Sequence, residues 1–320
     1  MHWRLQQLWK RIRRKLHWPS ALTHAQQPMI TPTYEHSGQV THPDVLDFGQ
    51  PWQGYRFWMV TTPYPFLDES VENPSILVSH DGENWQPPEG LRNPLVERPT
   101  SGFHADPDMF FNPQQQQLWL YFLHTQRHQQ QDLLRMCSAD GRHWSPPVRI
   151  LSLPYQTIRS PGLLWYRGEI LMLSVNMSGG RILELRRSHN GVQWSQPQPV
   201  ALTLPGYTPS HLDLLYDAPS ALFFMLIQAD PLGGGPNRLF LLSSKDPLVW
   251  RCGRRPLLSP LDAPSWAAQT LYRSSFSMHP DEHTVELWYA GRSMEHANHI
   301  AHLTIARRRW FKLANGPWFA

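Results

Sequence analysis

The chain has only two cysteines among its 320 residues, Cys137 and Cys252. Two cysteines are too few for a disulfide framework, and their separation fits no metal-ligand spacing, so a disulfide-stapled fold and a cysteine-based zinc site are both disfavoured. No apolar stretch is long enough to cross a bilayer or to form the core of a secretory signal. Beyond residue 20 there is also no long amphipathic helical pattern, which disfavours an all-helical fold.

Several catalytic signatures are missing as well. The sequence contains no Gly-x-Ser-x-Gly nucleophile motif, no phosphate-binding loop and no dinucleotide fingerprint. The glycine run at 233–235 lacks the Lys-Ser/Thr pair that follows in a phosphate-binding loop. These absences disfavour serine hydrolases of that type, nucleotide hydrolases and dinucleotide oxidoreductases, and no organic cofactor is expected.

The chain does contain a repeated short pattern, Ser-x-Asp/Asn-Gly-x-x-Trp. It occurs at 79–85, 138–144 and 188–194, and in degenerate form at 244–250. In each copy a small polar residue ends a strand, Asp-Gly or Asn-Gly supplies a turn with positive φ, and Trp opens the returning strand. A repeat period of about 50–60 residues is typical of propellers and solenoids. Asp81, Asp140 and Asn190 are therefore expected to be structural turn residues.

Runs of aromatic and aliphatic residues precede each copy and are typical of strands. A fifth set of such runs, at 285–290 and 300–305, lacks the turn motif. Five units of about four strands predict an all-β fold, a five-bladed β-propeller, over residues 31–320. The strand lining the axis in each unit should open with polar residues, and these strands are placed at 42–46, 106–110, 160–164, 211–215 and 274–278.

Residues 1–30 are assigned to a basic amphipathic N-terminal arm. Residues 1–18 carry six Lys and Arg residues, and their Trp, Leu and Ile residues follow a roughly helical spacing. This pattern predicts a short helix that lies on a membrane or on nucleic acid; the alternatives are a frayed arm or a helix docked on the propeller. Without the arm the charges nearly balance, so nucleic acid is not expected as the main partner. We expect a cytoplasmic protein with peripheral membrane contact through residues 1–18.

The five-unit layout, the Asp at the head of the first inner strand and the run Asp-Pro-Asp-Met-Phe-Phe-Asn at 106–112 resemble the five-bladed propeller glycosidases. This group includes arabinanases, xylosidases and their fructosidase relatives, and the resemblance covers roughly residues 41–309. It implies a carbohydrate partner and three carboxyl groups at one mouth of the axial channel. In inverting members the general base and the general acid stand about 6.5–9.5 Å apart, with a water between them.

The resemblance implies that Asp44 is the base and that Asp106, with Asp108 beside it, modulates a pKa. The third match fails, because Arg159 and Ser160 stand where a Glu would be expected, and neither can be a general acid near neutral pH. The remaining candidates for the acid are Glu72, Asp213 and the histidines that open the inner strands.

Other residues near the strand heads are candidates for substrate binding. They are His42, His104, Arg159, His211, Trp52 and Tyr207. Simpler alternatives stay open: Glu72 satisfying loop amides, Asp213 paired with a cation of a neighbouring blade, and histidines that only hydrogen bond within a polar channel.

A further alternative is a metal ion in the channel. The residue types would suit one, and the candidate ligands are His42, Asp44, His104, Asp106 and His211.

Two functions follow from these residues. The first is a glycoside hydrolase acting at the axial pocket, and the second is a carbohydrate-binding or scaffold propeller that has lost its general acid. In either case Asp44, Asp106, Asp108 and Asp213 are expected at one mouth of the channel, since all of them open inner strands.

Overall fold

The computed structural model describes residues 19–253, 255–279 and 282–315. Blade 1 consists of β1 (Val40–Trp52), β2 (Tyr55–Pro63) and β3 (Ser75–Ser79). Blade 2 consists of β4 (Phe103–Asn112), β5 (Gln117–Gln126), β6 (Gln130–Ser138) and β7 (Val148–Pro154). Blade 3 consists of β8 (Arg159–Tyr166), β9 (Glu169–Asn176), β10 (Ile182–Ser188) and β11 (Gln198–Pro199).

Blade 4 combines β13 (Tyr207–Asp217), β14 (Leu222–Pro231), β15 (Arg238–Ser244) and β16 (Val249–Cys252) with the preceding β12 (Ala201–Thr203), which pairs with β16 in parallel. Blade 5 consists of β17 (Thr270–Leu271), β18 (Ser275–Ser277), β19 (Thr284–Arg292) and β20 (Asn298–Ala306). The helix α1 (Arg307–Ala314) follows β20. Short 3₁₀ turns lie at Pro65–Leu67, Glu69–Val71, Pro260–Asp262 and Ser265–Ala267.

The five sheets surround one axis. Their inner strands β1, β4, β8, β13 and β18 contact one another in that order, and β18 contacts β1 to close the ring. The apolar core is divided accordingly into five clusters, each lying between two neighbouring blades. The closed ring of five sheets confirms the predicted all-β five-bladed propeller. Each blade buries its faces only against its neighbours.

The predicted N-terminal helix falls on residues 1–18, outside the described residues. Within the described part of the chain the α-helix is α1, at the other end of the sequence. Residues 19–30, the rest of the predicted arm, pack on the propeller: Ala21 N donates to Pro256 O (3.0 Å), Met29 N donates to Ile300 O (2.8 Å), and Leu22 is buried. No helix among the described residues is long and apolar enough to span a membrane.

The repeated turn is held by its own side chains. In the first copy, Ser79 Oγ accepts from Gly82 N (2.9 Å), Asp81 Oδ1 accepts from Asn84 N (2.8 Å), and Trp85 Nε1 donates to Gly82 O (3.0 Å). The copies at 138–144 and 188–194 repeat the Ser and Asp/Asn bonds. The structural role predicted for Asp81, Asp140 and Asn190 is thereby confirmed.

The glycine of this turn also faces a Trp from the preceding blade. A Cβ on Gly141 (φ 72°) would lie 2.1 Å from the ring of Trp58, and one on Gly191 (φ 71°) would lie 2.1 Å from the ring of Trp119. Glycine is required at these positions by the left-handed backbone and by the close approach of the indole. The repeat thus joins blades as well as strands.

Each of the inner strands β1, β4, β8 and β13 contains a β-bulge near its start. The register shifts lie between Thr41 and Asp44, Ala105 and Asp108, Arg159 and Gly162, and Pro209 and His211. His42, Asp106 and Ser160 have φ of 53°, 50° and 50°, and each is followed by a proline, which has no N–H to donate and so suits a bulge. The bulges re-aim the side chains that meet on the axis.

Candidate active site

Three buried side chains converge at one mouth of the axis. His42 comes from β1, Asp106 from β4 and His211 from β13. His42 Nε2 lies 3.2 Å from Asp106 Oδ1, and His211 Nδ1 lies 3.3 Å from the same oxygen. These three ligand atoms all lie within 4.8 Å of one another.

The three atoms contact one another, and none of them has a hydrogen-bond partner outside this trio among the described residues. The opposite ends of two of these side chains are fixed: His42 Nδ1 is 3.1 Å from Thr62 Oγ1, and Asp106 Oδ2 accepts from Ser160 N (3.1 Å). A proton on Nδ1, donated to Thr62, leaves the lone pair of His42 Nε2 directed at Asp106. Buried polar atoms without partners are rare, and a convergent set of them suits a cation.

The protonation states fit a metal site. Burial lowers the pKa of His42 to about 3 and also lowers the pKa of His211, so both imidazoles are neutral at physiological pH. Burial raises the pKa of Asp106, but the charges that His42 and His211 carry when protonated, together with the charge of Arg273, outweigh it and hold the pKa below its ordinary value, so Asp106 is ionised where both imidazoles are neutral. Neutral histidines and an ionised carboxylate are the forms that bind metals, and a set of two imidazoles and one carboxylate suits zinc, manganese or iron.

Glu72 and Tyr272 border the three ligands. Glu72 is buried, its Oε2 lies 3.7 Å from His42 Nδ1, and burial followed by the charge of Asp106 raises its pKa well above the ordinary value. The ring of Tyr272 lies 5.1 Å from that of His42 and 4.7 Å from that of His211. Burial raises the pKa of the Tyr272 phenol, which therefore stays a hydrogen-bond donor.

The mouth above these residues is a cavity of about 130 Å³. Arg159 lies in its wall, where its Nη1 is 3.3 Å from Ser210 Oγ. Further residues of the wall are Tyr64, Phe103, Arg127, Gln131 and Tyr155. The cavity combines a polar floor with aromatic walls, an arrangement common in small-molecule sites.

Asp44, Asp108 and Asp213 lie in a second layer. Their carboxylate oxygens are within 4.8 Å of one another, around the fully buried Arg273. Arg273 Nη2 donates to Asp108 Oδ2, and its Nη1 donates to Pro107 O (2.7 Å). One guanidinium thus neutralises part of a buried acidic cluster.

The second layer also links the blades. In each case a side chain of one inner strand accepts a hydrogen bond from a backbone N–H of the next inner strand, and these bonds run completely around the ring. They are Asp44 with Met109 N (2.5 Å), Asp108 with Leu163 N (2.9 Å), Ser160 with Leu212 N (3.0 Å), Asp213 with Phe276 N (3.2 Å) and Ser275 with Val45 N (3.0 Å).

The expectation that all four Asp residues meet at one mouth is therefore wrong. Asp106 lies at the mouth with His42 and His211, whereas Asp44 and Asp213 line a separate cavity of about 260 Å³ whose walls are mostly apolar. The physical reason is the bulge, which sends residues two apart in one strand into different layers.

The other predicted residues divide in the same way. Glu72 and Arg159 lie at the mouth, as proposed from their positions in the sequence. His104 is buried nearby, but its Nδ1 is 3.0 Å from Asn73 Oδ1 and its ring packs on Phe122. Trp52 stacks on Phe48 at the far end of β1, and Tyr207 packs on Phe240, so neither of them lines the mouth.

Sequence reasoning missed Tyr272 and Arg273. Both come just before the fifth inner strand, whose predicted start is Ser274. The inner edge of blade 5 is in fact divided, since β17 and β18 both pair with β19 and residues 272–274 lie between them. Their position directly before a predicted inner strand was the one sequence feature that could have indicated a place near the axis.

Comparison with known proteins places this site in context. No protein-family model matches the chain. A curated relative from Flavonifractor plautii, an A type blood N-acetyl-α-D-galactosamine deacetylase, is 31% identical over 309 residues, covering 79% of this chain and 40% of the relative. The chain thus spans less than half of that relative's length. A crystal structure of an N-acetylgalactosamine deacetylase from F. plautii, in complex with blood group B trisaccharide, has a TM-score of 0.79 at 25% identity and covers 94% of this chain and 100% of that one.

More distant structures share the fold. An α-L-arabinanase from Penicillium chrysogenum has a TM-score of 0.57 at 13% identity, covering 89% of this chain and 99% of its own. The GH43B protein of a Bacteroides ovatus xyloglucan locus has a TM-score of 0.61 at 15% identity, covering 84% and 52%. The resemblance to five-bladed propeller glycosidases is therefore confirmed for the fold, and fold alone does not establish chemistry.

Proposed function

We propose that this chain is a glycan-acting enzyme that removes the acetyl group from an N-acetylated sugar, with a divalent metal ion held by His42, Asp106 and His211. The observation that carries the proposal is the convergence of three buried ligand atoms that lack other partners. The similarity to an N-acetylgalactosamine deacetylase supports an amide bond of an amino sugar as the target.

In this reaction the oxygen of a water bonds to the acetamide carbon and the bond from that carbon to nitrogen breaks. A water proton passes to the nitrogen, so the products are acetate and a free amino sugar. A divalent ion at such a site polarises a carbonyl oxygen and lowers the pKa of a bound water. His42 and His211 would hold that ion as neutral donors, and Asp106 would supply the single negative charge.

Glu72 is proposed to carry the proton. Its carboxyl lies beside His42, away from bulk solvent, and Oε2 has no hydrogen-bond partner among the described residues. A proton carrier must reach both the water and the departing nitrogen, and Glu72 lines the mouth in which both would lie. Tyr272, as a permanent donor next to both histidines, would stabilise the negative charge that develops on the carbonyl oxygen.

The size of the mouth favours a substituent over a whole sugar ring. A cavity of about 130 Å³ is smaller than the roughly 300–1,000 Å³ typical of drug-sized ligand sites. An acetamido group would fit on the polar floor, with Phe103 and Tyr155 against the sugar that carries it. Arg159 would donate to a ring hydroxyl or to the acetyl oxygen.

Glycoside hydrolysis, the function first inferred from the sequence, is less well supported. It needs two free carboxyl groups on opposite sides of the sugar. Asp44, Asp108 and Asp213 already accept backbone hydrogen bonds from neighbouring blades, and Asp106 lies between two histidines. Asp44 and Asp213 do line one cavity, but their carboxylate oxygens lie within 4.8 Å of each other, closer than the roughly 6.5–9.5 Å that an inverting pair needs.

The test is release of acetate from N-acetyl-α-D-galactosaminides by full-length protein, before and after treatment with a chelator. We expect activity to be lost on chelation and restored by added Zn²⁺ or Mn²⁺. H42A and D106N should reduce bound metal, measured by mass spectrometry of the metal content, and abolish acetate release. H143A, at an exposed turn residue, is the matched control.

Two results would overturn the proposal. One is full activity in metal-free protein. The other is release of free sugar from arabinosides or galactosides without release of acetate. Sugar binding without any turnover, in protein loaded with metal, would instead support the carbohydrate-binding alternative.

A further inference from the structure

The charges of this chain are strongly segregated. The segments 1–34, 247–261 and 296–320 hold six, three and four Lys or Arg residues, thirteen of the 29 in the chain, and no Asp or Glu. The remaining residues hold the other 16 Lys and Arg and all 25 Asp and Glu. The net charge of +4 is thus the sum of a positive charge on these three segments and a negative charge on the remaining residues.

The fold brings residues 19–21, at the described start of the first segment, next to the other two segments. Arg309 Nη2 donates to Ala21 O (2.8 Å), Arg255 Nε donates to Pro19 O (2.9 Å), and Ser243, which pairs with Arg251, bonds to Asn315 Oδ1 through its hydroxyl (3.0 Å). The side chains of this region that point to solvent form what we call the basic face. It consists of Arg251, Arg255, Arg308, Arg309 and Lys312, all of which are exposed.

The basic face lies away from the candidate active site. His211, in the first half of strand β13, lies at the mouth, and the strand ends at Asp217. Asp217 forms an ion pair with Arg307, the first residue of α1. Helix α1, which carries three residues of the basic face, is therefore at the end of the propeller opposite His42, Asp106 and His211.

We propose that the basic face docks the propeller on an anionic phospholipid surface, together with residues 1–18, which join the described chain at Pro19. Lipid is favoured over nucleic acid because seven large apolar residues, three of them Trp, alternate with the six cations of that segment. Interfacial segments need such residues to enter the headgroup region, whereas phosphate binding alone does not. The mouth of the axis would be turned away from the bilayer.

The test uses full-length protein and vesicles of 70% phosphatidylcholine and 30% phosphatidylserine. We expect sedimentation with these vesicles, none with phosphatidylcholine alone, and weaker partitioning at 0.5 M than at 0.1 M salt. Each cation near the surface contributes about 1 kcal/mol, so R308Q/R309Q/K312Q should partition roughly 100-fold more weakly. The control R92Q/R98Q/R149Q, at three exposed arginines of blades 1 and 2, should partition as the unaltered protein does.

Three results would overturn the proposal. One is equal partitioning of R308Q/R309Q/K312Q and the unaltered protein, because binding would then not involve the propeller. Another is an equal loss in the control variant, which would indicate unspecific attraction. The third is tighter binding to a 20-base-pair DNA duplex than to the vesicles at the same salt concentration. A far-ultraviolet circular dichroism spectrum shows whether each variant is folded.

Discussion

At the scale of single residues, His42 and Asp44 show how a bulge separates two roles. They are two positions apart in β1, yet His42 Nε2 points to Asp106 at the mouth, while Asp44 accepts a hydrogen bond from Met109 of the next blade. In a regular strand, residues two apart would lie on the same side. The positive φ of His42 turns its side chain away from the side on which Asp44 lies. His42 therefore contributes to the candidate active site, and Asp44 contributes to the contact between blades.

The residue-scale prediction concerns Glu72. We expect E72Q to lower kcat for acetate release by about 100- to 10,000-fold, because an amide cannot carry the proton. Bound metal should be unchanged, since Glu72 is not one of the proposed ligands. The neighbouring E69Q, at a half-buried residue paired with Arg127 on the rim, should keep most of its kcat. Equal losses in the two variants would remove Glu72 from this role.

At the scale of elements, the turn glycines and the second layer hold blades to one another. Turn residues contact a Trp of the preceding blade, and inner-strand side chains accept backbone hydrogen bonds from the following blade. Both contacts cross a boundary between sheets, so each contributes to closing the ring as well as to its own blade. Changes at these positions should reduce the free energy of unfolding without directly altering the chemistry.

We expect G141A to destabilise the fold by about 2–4 kcal/mol, because its Cβ would overlap Trp58 and the backbone is left-handed. Urea unfolding followed by tryptophan fluorescence measures this change. G233A is the control: a Cβ at Gly233 would meet no atom within 4 Å, and its φ is not in the left-handed region. A midpoint for G141A equal to that of G233A would contradict the role assigned to the turn.

Removal of the Arg273 charge is the second test at this scale. R273M leaves Asp44, Asp108 and Asp213 in a buried cluster without their cation, so we expect a loss of about 3–5 kcal/mol. R149M, at an exposed arginine of β7, should change stability by less than about 0.5 kcal/mol. Chemical denaturation of both variants decides the point, and a stable R273M protein would show that the three carboxyl groups do not need the guanidinium.

At the scale of the whole molecule, the described N-terminal segment belongs to the propeller. Leu22 lies in the core cluster between blades 4 and 5, and Ser20 Oγ donates to Asp262 Oδ1 (2.6 Å). The first described residues thus pack on the last two blades, far from them in sequence.

A pair of truncations tests this arrangement. Removal of residues 1–18 should leave the unfolding midpoint nearly unchanged, whereas removal of residues 1–30 should cost at least about 2 kcal/mol, because it uncovers the cluster around Leu22. Differential scanning fluorimetry of the two proteins measures the difference. Identical melting temperatures would show that residues 19–30 only lie on the surface.

The sequence repeat was enough to predict the architecture, because the hydrogen bonds of its turn are local. Ser79, Asp81 and Gly82 bond to residues at most three positions away, so the same spacing identifies each copy in the sequence. The composition of the mouth is also predictable in part, since His42, Glu72, Asp106, Arg159 and His211 stand out near strand heads. Which of these residues meet depended on tertiary structure. Bulges shift the register by one residue, and the division of the inner edge of blade 5 brings Tyr272 and Arg273 to the axis. Those features depend on how the inner strands of five blades pack around one axis, so a local sequence pattern does not predict them.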